Sequence, residues 1–252
     1  MYEYDEVFYN YINRGAISSA RALLPPLISA LPCEIESVLD VGCGAGAWLS
    51  VWKSMGADIT GLDGDYVRKD QLLIDTEEFI ATDLRNGFSV QKKFTLAQCL
   101  EVAEHLPPTA AAGVVESLCQ HADLVLFSAA TPGQGGENHI NEQPISYWRA
   151  LFQKQGYALY DPVRPAVSGD SNVKSWYRYN TFLYVSEKCP QHTKDGLARH
   201  RVASEQHPKN FEPLLYRVRK KLIRILPDQI STLMAIVKKN LFRLSFKLRR
   251  NE

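Results

Sequence analysis

The sequence predicts an α/β protein: a doubly wound, mostly parallel seven-stranded sheet with helices on both faces. An N-terminal helical segment precedes it and C-terminal basic amphipathic helices follow. Two observations carry this expectation. Across residues 37–185, short apolar runs of strand length alternate with stretches of helical periodicity, the order that builds βαβ units and a sheet covered on both sides. The first run ends in Asp40-Val41-Gly42-Cys43-Gly44-Ala45-Gly46, where alternating glycines permit a tight strand-to-helix turn and close approach of the backbone.

The elements follow in order. Residues 4–31 read as two helices about a break at Asn13-Arg14-Gly15, with Pro25-Pro26 bending the second and Pro32 stopping it. Strands are expected at 38–41, 58–62, 78–81, 94–99 and 123–129, with helices at 47–55 and 109–121 between them. A glycine-rich loop at 131–139 leads to a helix at 145–155, and strands at 157–161 and 181–185 close the sheet. Four segments result: 1–35, an N-terminal helical cap; 36–187, the sheet domain; 188–209, a polar linker; and 210–252, a basic tail. In the tail Leu215, Val218, Leu222, Ile225 and Leu226 recur at three- and four-residue steps, as do Ile230, Leu233, Met234, Val237, Leu241, Leu244 and Leu248, so two amphipathic helices are expected.

Composition narrows the class. With 252 residues, 45% hydrophobic and 23% charged, the chain has the balance of a soluble globular protein, and a net charge of +1 excludes a protein that is basic throughout. The average conceals an asymmetry: residues 210–252 carry eleven Lys/Arg against three acids, a net +8, which leaves −7 for the rest. No apolar run approaches the ~18 residues of a membrane span, and the N-terminus is acidic, unlike a signal sequence. A cytoplasmic location is expected, peripheral to the inner face of the membrane if the tail attaches there. Five widely spaced cysteines without a Cys-x-x-Cys pair suit reduced thiols better than disulfides or zinc.

A glycine loop alone serves several nucleotide-like ligands. Asp63, about 20 positions on, would suit the ribose of a dinucleotide, so a nicotinamide-dinucleotide-dependent oxidoreductase is one alternative. That pattern is Gly-x-Gly-x-x-Gly, however, and here its last position is Ala47. Asp40 also disfavours a pyrophosphate on the loop, whereas it suits a cationic amino or sulfonium group.

Taken with Asp83 in Ala81-Thr82-Asp83-Leu84 and the run Leu100-Glu101-Val102-Ala103-Glu104-His105, these residues resemble the class I S-adenosylmethionine-dependent methyltransferases over 37–185. The resemblance implies S-adenosyl-L-methionine as methyl donor. Asp40, Gly42, Gly44, Ala45 and Gly46 would wrap its methionine part, Asp63 and Gly64 its ribose, and Asp83 and Leu84 its adenine, with Leu100 and Glu101 completing the wall. It further implies a small-molecule or glycan acceptor, methylated at a hydroxyl above all, in bacterial surface-polysaccharide or secondary-metabolite biosynthesis. The sequence does not separate oxygen from nitrogen acceptors.

Methyl transfer is an in-line displacement, so the enzyme aligns the nucleophile, excludes water and, for a hydroxyl, takes a proton. His139, in the mobile glycine-rich loop after the fifth strand, and His105, just past the fourth, are the candidate bases, with Glu142 among the polar groups beside His139. Relatives that methylate quinone precursors imply that Glu101, Glu104 and His105 gather a divalent metal; charge at a helix start is the competing reading. Tyr4, Phe8, Tyr9 and Tyr11, with Trp176, Tyr177 and Tyr179, are candidate acceptor walls, and Arg164, Lys174 and Arg178 suit an anionic acceptor. The tail is read as packed on the domain, as membrane-attached, or as binding nucleic acid; the last makes an RNA methyltransferase the runner-up, against which stand its few aromatics.

Overall fold

A computed structural model describes residues 6–226 and Ile230, Leu233 and Val237, with side chains from Ile12 onward. Helix α1 (Glu6–Ala30) leads into β1 (Ser37–Val41), α2 (Ala47–Ser54), β2 (Asp58–Asp63), β3 (Phe79–Ala81), β4 (Leu96–Leu100), α3 (Ala111–His121) and β5 (Leu124–Ser128). Then come α4 (Ile145–Lys154), β6 (Tyr157–Tyr160), α5 (Arg164–Val167), α6 (Ser175–Asn180), β7 (Phe182–Ser186), α7 (Gln191–Gly196) and α8 (Leu214–Arg224).

The seven strands form one sheet in the order β3-β2-β1-β4-β5-β7-β6. Neighbours from β3 to β5 are parallel, while β7 runs antiparallel to both β5 and β6. Alternate residues of each strand feed opposite cores, as the period-two geometry requires. On one face Val38, Leu124 and Leu126 join Leu23, Leu24 and Leu27 of α1 and Trp48, Leu49 and Trp52 of α2. On the other, Leu39, Val41, Val125 and Phe127 join Val114, Val115 and Leu118 of α3 and Trp148 and Phe152 of α4. Strand order reverses between β1 and β4, and the carboxyl ends flanking that point form the crevice where open α/β sheets take ligands.

Two expectations change. The N-terminal segment is one helix, not two, and holds Pro25 and Pro26 inside it. The expected break at Asn13-Arg14-Gly15 is absent: Ala16, Ala20, Leu23, Leu24 and Leu27 are buried along the one helix, and that burial outweighs both the break signal and the prolines. The stretch read as a linker is packed: Leu197 is fully buried, and Arg149 donates to the carbonyls of Val202, Ala203 and Gln206 at 2.6 to 2.7 Å. Most of the second tail helix, including Lys238, Lys239, Arg243, Lys247, Arg249 and Arg250, lies outside the described residues, as does Tyr4.

Candidate active site

β1 presents Asp40 in a buried position, in register with Gly61 of β2 and Gln98 of β4. Burial pushes its carboxyl up to about 7; Gln98 pulls it back, and Asp63 pushes it further. A carboxylate so desolvated favours a cation as neighbour. Beyond Val41 the chain turns through Gly42, Gly44 and Gly46, at φ 80°, 55° and 82°. The space at Gly44 is open, since a Cβ there would meet nothing within 4 Å, so a ligand can lie against bare backbone.

Asp63 ties this loop to the one after β2. It accepts the Gly44 N–H at 2.7 Å, the Gly64 N–H at 2.7 Å and the Tyr66 hydroxyl at 2.5 Å. At the end of β3, Asp83 accepts from the Arg85 backbone at 3.0 Å and pairs with its guanidinium at 2.8 Å. Those contacts hold the Asp83 carboxyl down to about 2. Ala45, Leu84 and Leu100 are buried around these acids. A buried acid for a positive charge, an open glycine backbone and acids at the ends of β2 and β3 fit a cationic nucleoside ligand such as S-adenosylmethionine.

The chain past β4 forms the other wall. Glu101 is left-handed at φ 58°, accepts from Gln134 Nε2 at 2.7 Å, and lies 3.5 Å from Asn180 Nδ2, which also donates to Gln134 Oε1 at 2.7 Å. Burial raises the Glu101 carboxyl to about 7, against hydrogen bonds from Gln134 and Ser128 that pull it back. Glu104 is 1% exposed, and neither carboxylate oxygen has a well-formed hydrogen bond. Burial, then Glu101, pushes its carboxyl well above the usual range.

The loop after β5 closes over this turn. Backbone N–H groups of Ile140 and Asn141 donate to the Glu104 carbonyl at 2.9 and 3.0 Å, and Asn141 Nδ2 donates to the Ala103 carbonyl at 3.3 Å. Glu142 then organises the loop, accepting Gly133 N–H at 2.7 Å and Gly135 N–H at 2.8 Å, with His139 Nδ1 at 2.9 Å. Burial alone would raise Glu142, but the bond to His139 and the two amides leave it below its ordinary value. A carboxylate at Nδ1 places the proton there and leaves Nε2 as the acceptor. The His105 ring lies 4.8 Å from that of His139, nearly perpendicular, and desolvation followed by His139 lowers it to about 4. His105 is therefore neutral near pH 7.

Among the described residues, one group could hold a metal ion: Glu104, His105 and His139, with ligand atoms all within 4.8 Å of one another. It differs from the set read in the sequence, because Glu101 turns to Gln134 and Asn180 while His139 takes its place. One carboxylate and two imidazoles suit a divalent transition ion.

Helix α8 seals the outer side. Lys220 donates to Thr131 Oγ1 and Glu212 Oε1, both at 2.6 Å, Arg219 donates to the Gln134 carbonyl at 3.2 Å, and Tyr216 packs on Tyr179 with ring centroids 5.3 Å apart. A Cβ on Gly133 would sit 2.1 Å from the Lys220 carbonyl oxygen, so only glycine admits this approach.

Some sequence assignments fail. Arg164 is buried, bonded to Asp161 at 2.8 Å and to the Tyr179 and Lys209 carbonyls at 2.9 Å. Arg178 donates to the Val173 carbonyl at 2.6 Å. Both guanidinium groups hold the chain together instead of facing an acceptor. Trp176 packs on the core, and the buried Tyr177 meets Trp48 edge-on at 5.0 Å. The side chains of Phe8, Tyr9 and Tyr11 are outside the described set. Conversely, Tyr66, Gln134 and Asn180 were not singled out; Gln134 stood within the glycine-rich loop, but nothing local marked Asn180.

The fold and the site define a class, and comparison with known proteins agrees. A sequence profile described as a methyltransferase domain matches residues 11–162, and the chain belongs to that family, the S-adenosylmethionine-dependent methyltransferases of Rossmann-like fold. It is 34% identical over 125 residues to the ubiquinone biosynthesis O-methyltransferase of Pseudomonas paraeruginosa, covering 46% of this chain and 50% of that one. The Pseudomonas aeruginosa protein of the same name is 32% identical over the same extent. The chain thus spans about half the length of the curated relatives it matches. Among solved structures it resembles the sugar N-methyltransferase KedS8 from Streptoalloteichus, with TM-score 0.56 and 14% identity over 74% of this chain and 94% of that one. DesVI of Streptomyces venezuelae gives TM-score 0.55 and 17% identity over 73% of this chain and all of that one. The reversed β7 and this family match leave the nicotinamide reading without support, since the dinucleotide fold orders its strands 3-2-1-4-5-6.

Proposed function

We propose that the chain transfers a methyl group from S-adenosylmethionine to a hydroxyl of a small-molecule or glycan acceptor, with His139 as general base and Glu142 as its positioning partner. The observation that carries this reading is the contact of His139 Nδ1 with Glu142 Oε1 at 2.9 Å, which turns Nε2 into a proton acceptor at the carboxyl edge of the sheet. The methyl donor supplies an electrophilic carbon on a sulfonium. Asp40 balances the donor's positive charge, Asp63 and Asp83 take the ribose and adenine, and Gly44 lets the backbone lie close. His139 removes the acceptor proton, while neutral His105 packs beside it and adds no competing charge. The names of the curated relatives favour oxygen over nitrogen as the atom methylated. Incubation with labelled methyl donor and fractionated glycans and metabolites tests the proposal: label should enter a hydroxyl-bearing acceptor with the native chain and not with His139→Ala. Label confined to RNA would reverse the acceptor class.

A further inference from the structure

The packing of α8 is inverted relative to its amphipathic pattern. Its apolar residues face away from the domain: Leu214, Leu215, Val218, Leu222 and Ile225 are 71%, 84%, 45%, 58% and 78% exposed. At 100° per residue they occupy one arc, opposite Tyr216 and the buried Ile223. The exposed Arg217, Lys221 and Arg224 line one border of that arc and Arg219 the other. Ile230, Leu233 and Val237, spaced by three and four residues, are exposed as well, at 43%, 58% and 48%. Singly exposed aliphatics are ordinary; a continuous stripe of five between cationic borders marks a contact surface.

We propose that this outward face of α8 docks on an anionic lipid bilayer, the helix lying in the headgroup plane with its aliphatic arc inward and Arg217, Lys221 and Arg224 on lipid phosphates. Charge selects the partner: α8 carries Arg217, Arg219, Lys220, Lys221 and Arg224 and no acid, so an anionic surface attracts this helix. The arc argues against a nucleic acid, which offers no apolar surface to aliphatics and for which the arc presents no stacking ring. Among the described residues no helix is long and apolar enough to cross a membrane, so α8 lies on the bilayer. Its opposite side holds Thr131, Gly133 and Gln134, and Gln134 holds Glu101. Resting on the methyl-transfer reading, docking sets the acceptor side of the site about one helix diameter, ~10 Å, from lipid.

Vesicle flotation of the full chain, without donor or acceptor, tests docking separately from catalysis. Binding is expected to phosphatidylcholine vesicles containing phosphatidylglycerol, not to phosphatidylcholine alone, and should weaken with salt. The pair Leu215→Ser and Leu222→Ser should lower binding about tenfold or more, and Arg217→Ser about fivefold. All replaced side chains are exposed, and circular dichroism and melting check that the variants fold. A Leu222→Trp variant should shift its emission to the blue on anionic vesicles. The proposal falls if binding ignores lipid charge, or if the serine pair binds as tightly as the native chain. It also falls if the native chain is a dimer that the serine pair dissolves, since a second copy then covers the arc, or if RNA competes vesicles away with the serine pair binding RNA as well as the native chain does.

Discussion

Nδ1 of His139 lies 2.9 Å from Oε1 of Glu142, and the same carboxylate takes the backbone N–H groups of Gly133 and Gly135. One side chain therefore fixes both the base and the loop that carries it. His139→Ala should lower kcat by about 10²- to 10⁴-fold, the usual worth of a positioned base, with affinity for S-adenosylhomocysteine within about twofold. Glu142→Gln should lower kcat less but also loosen the loop, because an amide cannot accept three donors. Initial rates, calorimetric titration and limited proteolysis measure these effects. An unchanged methylation rate in His139→Ala would sink the base assignment.

Gly133 lets α8 reach the loop. Its φ of 82° disfavours a side chain, and a Cβ would press on the Lys220 carbonyl oxygen at 2.1 Å. Gly133→Ala should cost about 1–3 kcal/mol, as overpacking does, and should undock α8 from the loop. The measurement is thermal melting together with protease sensitivity near residue 213; a native melting temperature and native cleavage pattern would show that the contact is dispensable.

How legible the site was depends on whether its signals were local. Asp40, Gly44 and Asp63 could be read because a strand, a turn and a strand end write their requirements into a few adjacent residues. His139 and Glu142 were named, but not the bond that joins them, which depends on loop conformation. The metal-capable group shows the same limit: Glu104 and His105 are sequence neighbours, whereas His139 joins them only through the zipper between residues 140–141 and Glu104. Helix α8 was predicted from its periodicity, yet its buried side was not, since Tyr216 and Lys220 find their partners on elements far away in sequence. The continuous α1 was missed because Asn13-Arg14-Gly15 reads locally as a break, whereas the burial of Ala16, Ala20 and Leu23 just beyond it, which keeps the chain helical, depends on distant elements.

Glu101 exchanges stability for position. A non-glycine residue at φ 58° costs about 1 kcal/mol or more, and a buried carboxyl raised to about 7 adds to that cost near neutral pH. Glu101→Gly relieves both but orphans Gln134 Nε2, whose unmet hydrogen bond costs about 1–3 kcal/mol. The opposing effects should leave the melting temperature near the native value while methyl transfer falls at least about tenfold. Melting and turnover measured on the same preparation decide the matter. A parallel fall in both would make Glu101 a structural residue.

The Asp40 carboxyl, raised by burial to about 7 from 3.8, makes donor binding a proton-linked event. In the free protein the native state holds this proton more tightly than the unfolded chain does. Its contribution to stability is therefore fully present below about pH 4 and is lost as pH rises through about 7. A cationic donor stabilises the ionised acid, so binding near pH 7 should release about half a proton from Asp40 and, by pH 9, almost none. Calorimetric titration in two buffers of different ionisation heat reads that number directly. Asp40→Asn should abolish the release, flatten stability between about pH 4 and 7, and weaken donor binding about tenfold or more, since a charge-assisted contact is worth ~1.5–3 kcal/mol. Release that persists in Asp40→Asn would transfer the titration to Glu101, the other carboxyl raised to about 7, and would remove Asp40 as the acid that meets the donor's charge.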